Sequence, residues 1–564
     1  MTDPIDQQPL APPDEAPADP ARRRLLGGLA LAGAALAAGG CKPFGGQPPA
    51  SAPTVADAAL DAQLRRHIRH VVVLYAENRS FNNLFADFPG LAQPLQALDS
   101  PAYRQRDRDG RLLDTLPPVW GGLAPHPQTV DGRQYRIDES AISGLPNRPF
   151  VLATPDGTPL PHGVITRDLV HRFYENQLQI NGGRNDGFVA WGNTGAMTMG
   201  HYADGAAKLR LWQLARQYTL CDNFFMGAFG GSFLNHQYLA AAQPPYYPHA
   251  DRSPAKFQIA TLEGDDPTGI RPKLAEDSPA SAMQGRPTFV THDALTPDFW
   301  AVNTIGPAYA PGFSRDKHDP RLADAASPNT LPAQSHATIG DALSAAGVDW
   351  AWYAGAWQLA LDGHGDGDHR AFPEVPNFQP HHQPFNYFRQ FAPGTAARAR
   401  HLRDAGTGSA AATNHFLAAA AAGTLPPVTF YKPQGDLNMH AGYASVDAGD
   451  RHLAQVVQAL QASPLWPNML VVITVDENGG WWDHVAPPKG DRWGPGSRIP
   501  ALVVSPFAKK GFVDHSVYDT GSILRFITRR FGLAKLPGLK RREQAMIAAG
   551  SPPPGDLTAA LQFD

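Results

Sequence analysis

Two widely separated pairs of oxygen-donor side chains suggest a site for a divalent cation. Glu77 and Asn78 follow one apolar run of strand length, and Asp476 and Glu477 follow another. In open α/β sheets, functional side chains gather where strands end. Carboxylate and amide oxygens are the ligands of hard cations such as Ca²⁺. Each pair alone also fits an Asx turn or a helix N-cap, but two such pairs on two strands favour a cation site.

A candidate nucleophile lies between these pairs in the sequence. Ser232 ends a glycine-rich turn at residues 227–232 and precedes a predicted helix at 237–242. A turn of this kind presents backbone N–H groups and the positive end of the helix dipole to an anion such as phosphate. A bound cation would lower the pKa of the Ser232 hydroxyl and make it a nucleophile. The alternative for Ser232 alone is a plain N-cap.

Histidines recur near the same segments. They are His171, the pair at 381–382, His440 and His484. A single histidine is usually a satisfied polar residue, but an imidazole with a pKa near 6.5 can also donate a proton to a leaving oxygen. The histidines are therefore candidates for general acid catalysis.

The elements that must position these residues alternate between strands and helices. Continuous apolar runs predict buried strands at 71–75, 469–475 and 501–504. Helical spacing predicts helices at 206–218, 337–346, 451–461 and 520–531. Alternation over the whole body predicts an α/β sandwich with a central, mostly parallel sheet and helices on both faces.

Composition excludes several classes of protein. The chain has 564 residues, a formal net charge of −4 and 43% hydrophobic residues, so it is neither a basic nucleic-acid-binding protein nor a disordered one. No apolar stretch of the sequence reaches the ~20 residues of a membrane span. Two cysteines provide no disulfide framework.

The N-terminal residues are typical of an export signal. Three arginines at 22–24 precede a short apolar run at 25–38, a pattern that resembles a twin-arginine signal. The run ends at Cys41 in a sequence that partly matches a lipoprotein cleavage site, and the alternative is a soluble periplasmic protein without lipid. We predict a signal at 1–41, a flexible tether at 42–60 and one domain at 61–564.

Four further segments have weaker signals. Proline-rich stretches at about 91–160 and 243–335 predict insertions within the domain. The alternating aspartates and glycines at 362–368 and the basic run at 540–542 are both interpreted as solvated surface.

Several short motifs together resemble those of a bacterial phosphoesterase family that contains acid phosphatases and phospholipases C. The resemblance spans roughly residues 67–535. The motifs are 70–81 (HVVVLYAENRSF), 181–188 (NGGRNDGF), 220–225 (LCDNFF), 476–485 (DENGGWWDHV) and 494–500 (GPGSRIP).

The resemblance implies an alkaline-phosphatase-like fold and specific roles for individual residues. It makes Glu77, Asn78, Ser232, Asp476 and Glu477 the ligands of one divalent cation, and Ser232 also the nucleophile. It places His171, His382 and His440 around the phosphoryl group as catalytic residues. His381 and His236 are predicted to bind substrate, and the role of His484 is open.

Two branches of that family compete. The phospholipase branch usually has Thr at the nucleophile and a second His six residues after the one that matches His171, where this chain has Ser232 and Gln177. The segments 378–387 (FQPHHQPFNY) and 431–440 resemble the acid phosphatase branch. We therefore expect hydrolysis of phosphomonoesters through a phosphoserine, with a phospholipase C as the alternative. A surface lipoprotein that binds phosphorylated ligands without turnover is the non-enzymatic alternative.

The cofactor expected from this resemblance is one divalent cation. The ligand set is rich in oxygen, so it suits Ca²⁺ better than a pair of zinc ions. The expected partner is a phosphorylated small molecule or a lipid, with possible attachment to a membrane through Cys41. No nucleic acid is expected as a partner.

Overall fold

A computed structural model describes residues 55–95, 97–202, 208–363 and 376–563. The predicted export signal, including Cys41, and most of the predicted tether lie outside the described residues. Residues 364–368 of the aspartate-rich segment lie outside them as well.

An eight-stranded sheet forms the centre of the fold. Its strands, in chain order, are β1 (His70–Ala76), β2 (Thr219–Cys221), β3 (Trp350–Ala354), β4 (Leu402–Asp404), β5 (Val428–Lys432), β6 (Met469–Val475), β7 (Ala501–Val504) and β8 (Phe512–Asp514). Their order across the sheet is β8-β2-β7-β6-β1-β5-β3-β4. Of these, β7 runs antiparallel to both of its neighbours, and the other pairings are parallel. The predicted α/β class with a mostly parallel central sheet is therefore confirmed.

The central strands are apolar along their whole length because both faces of the sheet are covered. Every residue of β6, β5 and β3 is buried, and β1 is buried after its first residue. Such strands carry β-branched and aromatic residues without polar alternation. The strands at 469–475 and 501–504 begin and end as predicted, and β1 extends the predicted strand by one residue at each end.

Three two-stranded pairings lie outside the central sheet. They join Ala124–Val130 to Arg133–Ile137, Phe150–Val151 to Gly200–His201, and Phe224–Phe225 to Tyr518–Asp519. The first two involve the predicted insertion at about 91–160, which thus contains its own short hairpin.

Helices connect the strands. They are α1 (Val55–His67), α2 (Phe81–Phe85), α3 (Phe173–Ile180), α4 (Arg210–Gln217), α5 (Ser232–Ala241), α6 (Ile339–Ala345), α7 (Trp357–Leu361), α8 (Ala396–His401), α9 (His415–Ala421), α10 (Val446–Gln461), α11 (Thr520–Phe531) and α12 (Pro537–Ala548). None of the described helices is both long enough and apolar enough to span a bilayer.

Local caps explain several helix ends. The Ser445 side chain accepts a hydrogen bond from the N–H of Ala448, so α10 begins five residues before the predicted start. A capping box between Asp519 and Ser522 opens α11, and Gly532 in the left-handed region closes it, at the predicted bounds.

Three sequence interpretations differ from the structure. α1 begins at Val55, inside the predicted tether, because the Arg529 side chain on α11 pairs with Asp57 and Asp61 on α1. The helix predicted at 237–242 begins at Ser232 instead. In the basic run at 540–542, Arg542 is 3% exposed and pairs with Asp491 and Asp519, so its interpretation as solvated was wrong.

Candidate active site

The two predicted pairs of oxygen donors lie side by side at the carboxyl edge of the sheet. β1 and β6 are parallel neighbours, and Ala76 is paired with Val475 in their register. The next residues on the two strands, Glu77 and Asp476, therefore emerge at the same level. Glu77, Asn78, Asp476 and Glu477 are all fully buried. The Asn78 amide donates to Oε1 of Glu477 at 3.0 Å, which joins the two pairs directly.

Tight turns after β6 hold the acidic pair in place. The N–H of Glu477 donates to Oδ1 of Asp476 at 2.9 Å, and the N–H of Gly479 donates to Oε2 of Glu477 at 2.5 Å. Gly479 has φ +60°, and a Cβ there would lie 2.6 Å from the carbonyl oxygen of Asn78, so only glycine fits. The bond at Asp476 is not the Asx turn of the alternative, because it comes from the next residue and not from the residue two positions on. Oδ2 of Asp476 remains for a ligand.

Lys432, the last residue of β5, places an ammonium group inside this acidic cluster. Its Nζ lies 2.5 Å from Oε1 of Glu77 and donates to the carbonyl of Ala76 at 3.2 Å. Burial opposes the charge on Glu77, but Lys432 and the hydrogen bond from His382 outweigh it and hold the pKa of Glu77 well below its usual value. The sequence motifs predict no role for Lys432, although a lysine that ends a buried apolar strand is itself a signal.

Ser232 is the first residue of α5, and its hydroxyl points into the acidic cluster. The N-cap is Gly231, and the Ser232 hydroxyl makes no capping bond, so the N-cap interpretation was wrong. Ser232 Oγ donates to Oε2 of Glu77 at 2.9 Å and to Oε1 of Glu477 at 3.2 Å. The hydroxyl proton is shared by two carboxylates, and the positive end of the α5 dipole lies at the same place.

The glycines before Ser232 are required by the close approach of α3. Gly230 has φ +91°, and a Cβ there would lie 2.6 Å from the backbone nitrogen of Phe173. A Cβ at Gly231 would lie 2.7 Å from the carbonyl oxygen of His171. The glycine-rich turn therefore brings Ser232 next to His171.

The buried donors around Ser232 fit a cation. Among the described residues, Oδ1 of Asn78 and Oδ2 of Asp476 are buried without a hydrogen-bond partner. Burial and the charge of Glu77 raise the pKa of Asp476 well above its usual value, and burial raises the pKa of Glu477 to about 7. The ammonium of Lys432 and the imidazolium of His171 are thus too little positive charge for three buried carboxylates. The five predicted ligands would hold a divalent cation, and their oxygen-rich set suits Ca²⁺.

Two histidines line an open cleft beside Ser232. The rings of His171 and His440 lie 5.5 Å apart, and both residues line the cleft together with Asp168, Ser232 and Tyr443. Burial disfavours the imidazolium of His171, but the carboxylates of Glu477 and Asp168 outweigh burial and raise its pKa to about 9. Burial lowers the pKa of His440 to about 4.

A buried arginine fixes the loop that carries His440. Arg79 is 1% exposed, and its Nε and Nη2 both donate to the carbonyl of Met439, at 3.1 and 2.8 Å. Met439 has φ +78°, an uncommon conformation for a side chain of its size. The side chain of Asn438 also accepts a hydrogen bond from the N–H of His440 at 2.9 Å.

The remaining predicted histidines occupy different positions. His381 lines the cleft, as a substrate-binding residue would. His382 is fully buried behind the cluster, and its Nε2 lies 3.0 Å from Oε1 of Glu77. His236 is fully buried, with Nδ1 2.7 Å from the carbonyl of Ser232 and 3.6 Å from Oδ2 of Asp476, so its position does not fit the predicted contact with substrate. His484 instead lies 3.0 Å from Oδ1 of Asn82.

The cleft has a volume of about 610 Å³, much more than a phosphate group fills. Ser232, His171 and His440 line it. Part of its wall comes from the insertion at 243–335, which contributes Gln258, Asp293, Ala294, Asn303, Thr304, Phe313 and Asn329. The insertion is held to the body because Arg492 forms a bidentate pair with Asp298, and His292 contacts Glu175 at 2.9 Å.

The sequence profile of the Phosphoesterase family matches residues 68–534, most of the chain. The chain belongs to the Phosphoesterase family.

Similar curated proteins are named as phospholipases C. The phosphoesterase is 30% identical over 174 residues to "Non-hemolytic phospholipase C" of Pseudomonas aeruginosa, an alignment that covers 25% of this chain and 24% of the relative. It is 23% identical to "Non-hemolytic phospholipase C" of Burkholderia pseudomallei, over 88% of this chain and 59% of the relative. It is 24% identical to "Phospholipase C B" of Mycobacterium tuberculosis, over 88% of this chain and 78% of the relative. The chain thus spans less than two thirds of the length of the first two.

Among solved structures, the phosphoesterase is similar to "a Protein in the Alkaline Phosphatase Superfamily" from Vibrio parahaemolyticus. The TM-score is 0.28 at 12% identity, with 64% of this chain and 67% of that chain covered. A similarity of this size carries no argument about function.

Proposed function

We propose that this phosphoesterase is a phospholipase C that hydrolyses the phosphodiester of phospholipid head groups. The relatives that align over 88% of the chain bear that name. The cleft of about 610 Å³ leaves room for substituents on a phosphate placed at Ser232. This reverses the preference from sequence, where the acid phosphatase branch was favoured.

Ser232 is the nucleophile in the proposed reaction. Its hydroxyl donates to Glu77 and Glu477, and Ser232 also lines the cleft where the phosphate would bind. The backbone N–H groups at the start of α5 face the same place and attract an anionic phosphate. A divalent cation held by Glu77, Asn78, Ser232, Asp476 and Glu477 would neutralise phosphate charge and lower the pKa of the Ser232 hydroxyl.

A histidine of the cleft donates a proton to the leaving alcohol. His171 and His440 face each other beside Ser232, within reach of a leaving oxygen on a phosphate bound there. Attack of Ser232 Oγ on phosphorus forms the Oγ–P bond and breaks the bond to the leaving alcohol, which takes its proton from the imidazolium of His171, while the hydroxyl proton of Ser232 passes to the carboxylate of Glu477. The phosphate stays on Ser232 with its head group until water attacks it, with the imidazole of His171 as base.

The observation that carries the proposal is the hydrogen bonding of Ser232 to two carboxylates that follow two different strands of the sheet. The test is a substrate panel with and without a chelator. We expect hydrolysis of p-nitrophenylphosphorylcholine and of phosphatidylcholine in detergent micelles, and loss of both rates in EDTA that added Ca²⁺ restores. Hydrolysis of p-nitrophenyl phosphate alone contradicts the phospholipase proposal, and a rate that EDTA leaves unchanged contradicts the cation.

Hydrolysis of phosphomonoesters is the second candidate function. The observation in its favour is Ser232 itself, since the resemblance associates Ser at this position, and Gln177 in place of a second histidine, with the acid phosphatase branch. Gln177 donates to the carbonyl of Phe173 within α3 and is not among the residues that line the cleft. The same panel separates the two functions.

We also propose that the enzyme is exported, on the basis of the twin-arginine-like signal. Lipid attachment at Cys41 would hold it at a membrane. Cell fractionation combined with mass spectrometry of the mature N-terminus tests both points: a cytoplasmic, unprocessed chain contradicts export, and a processed chain without acyl groups contradicts lipidation.

A further inference from the structure

The exposed large hydrophobic side chains of the described residues are concentrated in one segment of the chain. Of the seven that the described residues contain, five belong to the insertion at 243–335: Phe257, Ile270, Met283, Val290 and Phe313. This segment is 93 residues of a 564-residue chain. Single exposed hydrophobic residues are common and need no explanation, but five of seven in one segment make that segment the candidate for an interaction surface.

One of these side chains lines the catalytic cleft, and a second is adjacent in the chain to a cleft residue. Phe313 is 43% exposed and lines the cleft itself. Phe257 is 70% exposed and directly precedes Gln258, which also lines the cleft. The Gln258 amide donates to Asn329 Oδ1 at 2.6 Å, and Asn329 is another cleft residue. We call Phe257 and Phe313 the aromatic rim.

The aromatic rim is held on a fixed support. The bidentate pair of Arg492 and Asp298, and the hydrogen bond from the N–H of Phe173 to Oδ1 of Asn303 at 2.9 Å, attach the insertion to the body. Phe257 lies in a short 3-10 helix, Pro254–Gln258, whose N-cap is Ser253. An exposed aromatic side chain, Phe257, is thus carried by a short helix whose first turn is capped.

Charge at the rim fits a zwitterionic lipid surface. Lys256 is exposed, and its Nζ lies 4.8 Å from the ring of Phe257; Lys317 is exposed four residues after Phe313. An aromatic ring beside a lysine suits a membrane interface, where the ring enters the acyl boundary and the ammonium remains at the lipid phosphates. The whole insertion has 8 basic and 11 acidic residues, so it has no net attraction for an anionic membrane.

We propose that the aromatic rim docks this enzyme on a zwitterionic phospholipid surface, with the cleft mouth facing the head groups. This inference rests on the proposed phospholipase C function, because it explains how a lipid still in a bilayer would reach Ser232. A protein partner or a second copy of the chain is the competing occupant, and the test includes it.

The binding test uses the full-length chain with Cys41→Ser and Ser232→Ala, so that neither an acyl anchor nor hydrolysis affects the result. Co-sedimentation with dioleoylphosphatidylcholine vesicles gives the partition coefficient. Phe257→Ser should weaken partition about tenfold, as expected for withdrawing one phenyl ring from the interface. The matched control is Ile547→Ser, which removes a 56% exposed apolar side chain on α12, outside the insertion, and should change partition less than about twofold.

Several outcomes would overturn the docking surface. Equal partition coefficients for Phe257→Ser and Ile547→Ser would show that the aromatic rim does not bind the vesicles. Binding that requires phosphatidylserine and disappears in 0.5 M salt indicates electrostatic adsorption instead. A dimer in sedimentation velocity that Phe257→Ser converts to monomer shows that the rim binds a second copy.

An activity test separates this inference from the proposed function. With Ser232 restored, Phe257→Ser should lower the rate on phosphatidylcholine vesicles about tenfold and leave the rate on soluble p-nitrophenylphosphorylcholine unchanged. Vesicle binding that depends on Phe257, without hydrolysis of either substrate, refutes the phospholipase function and retains the docking surface. Hydrolysis of vesicles that is unaffected by Phe257→Ser refutes the docking surface and retains the function.

Discussion

Replacing Lys432 by methionine tests whether the acidic cluster depends on an internal ammonium. Methionine has a similar length and no charge, so the change removes the charge with little change of volume. Lys432 and Glu77 are both fully buried, and Nζ lies 2.5 Å from Oε1. In the variant, Glu77 remains in the protein interior beside Asp476 and Glu477 without its positive partner.

The expected magnitude follows from the burial of this pair. Removing one partner of a buried ion pair costs about 3 to 5 kcal/mol, because the other charge stays desolvated. A domain has a total unfolding free energy of only about 5 to 15 kcal/mol. In EDTA, Lys432→Met should therefore lose about a fifth or more of the stability of the parent protein.

A cation should restore more stability to the variant than to the parent. The variant cluster has one positive charge fewer, so a bound Ca²⁺ has more negative charge to compensate. Urea unfolding of both proteins, in EDTA and in excess Ca²⁺, measures this difference. Lys510→Met is the control, because it removes the same charge from an exposed side chain and should change stability by less than about 0.5 kcal/mol.

Two results would refute this reasoning. A loss in EDTA below about 1 kcal/mol would show that Lys432 does not compensate the buried charge of Glu77. An equal Ca²⁺ stabilisation of parent and variant would show that the cation and Lys432 do not act on the same cluster.

Three further predictions concern catalysis, cation binding and acid stability. Ser232→Ala should lower turnover at least about 10³-fold with an unchanged circular dichroism spectrum; an active variant disproves the nucleophile. Asp476→Asn should weaken Ca²⁺ binding at least about tenfold by calorimetry, while unchanged affinity would exclude Asp476 as a ligand. His452 is 1% exposed, and burial lowers its pKa to about 4. Its folded pKa lies below the unfolded value of 6.5, so stability is full above pH 6.5 and falls by about 3 kcal/mol as pH falls to 4. His452→Gln should reduce that fall in urea titrations at several pH values, and an identical pH dependence would contradict the assignment.

The ligand positions could be predicted because they depend on local sequence and one general rule. A run such as residues 469–475 is apolar throughout, so it must be a strand with both faces covered. Strands of that kind lie parallel and side by side, and their carboxyl ends meet at one edge. The proximity of Glu77 and Asp476 could thus be predicted although they are 399 residues apart in the chain.

The start of α5 could not be predicted from local sequence. Phe233, Leu234 and Asn235 carry no helix-start signal, and the N-cap is a glycine without a side-chain hydrogen bond. The helix begins at Ser232 because α5 packs on α11 and on the loops that carry His381 and His382. The direction of the Ser232 hydroxyl toward Glu77 follows from that packing.

The sequence by itself determined the strands, the oxygen donors at their ends and the serine that follows a glycine-rich turn, because short-range patterns specify each of them. Tertiary structure alone decided that Lys432 neutralises Glu77, that His382 lies behind the cluster while His381 faces the cleft, and that a distant insertion supplies the cleft wall. These features depend on which side chains meet across elements far apart in the chain. No local pattern encodes such contacts, because they form only when the whole sheet and its covering helices exclude water together.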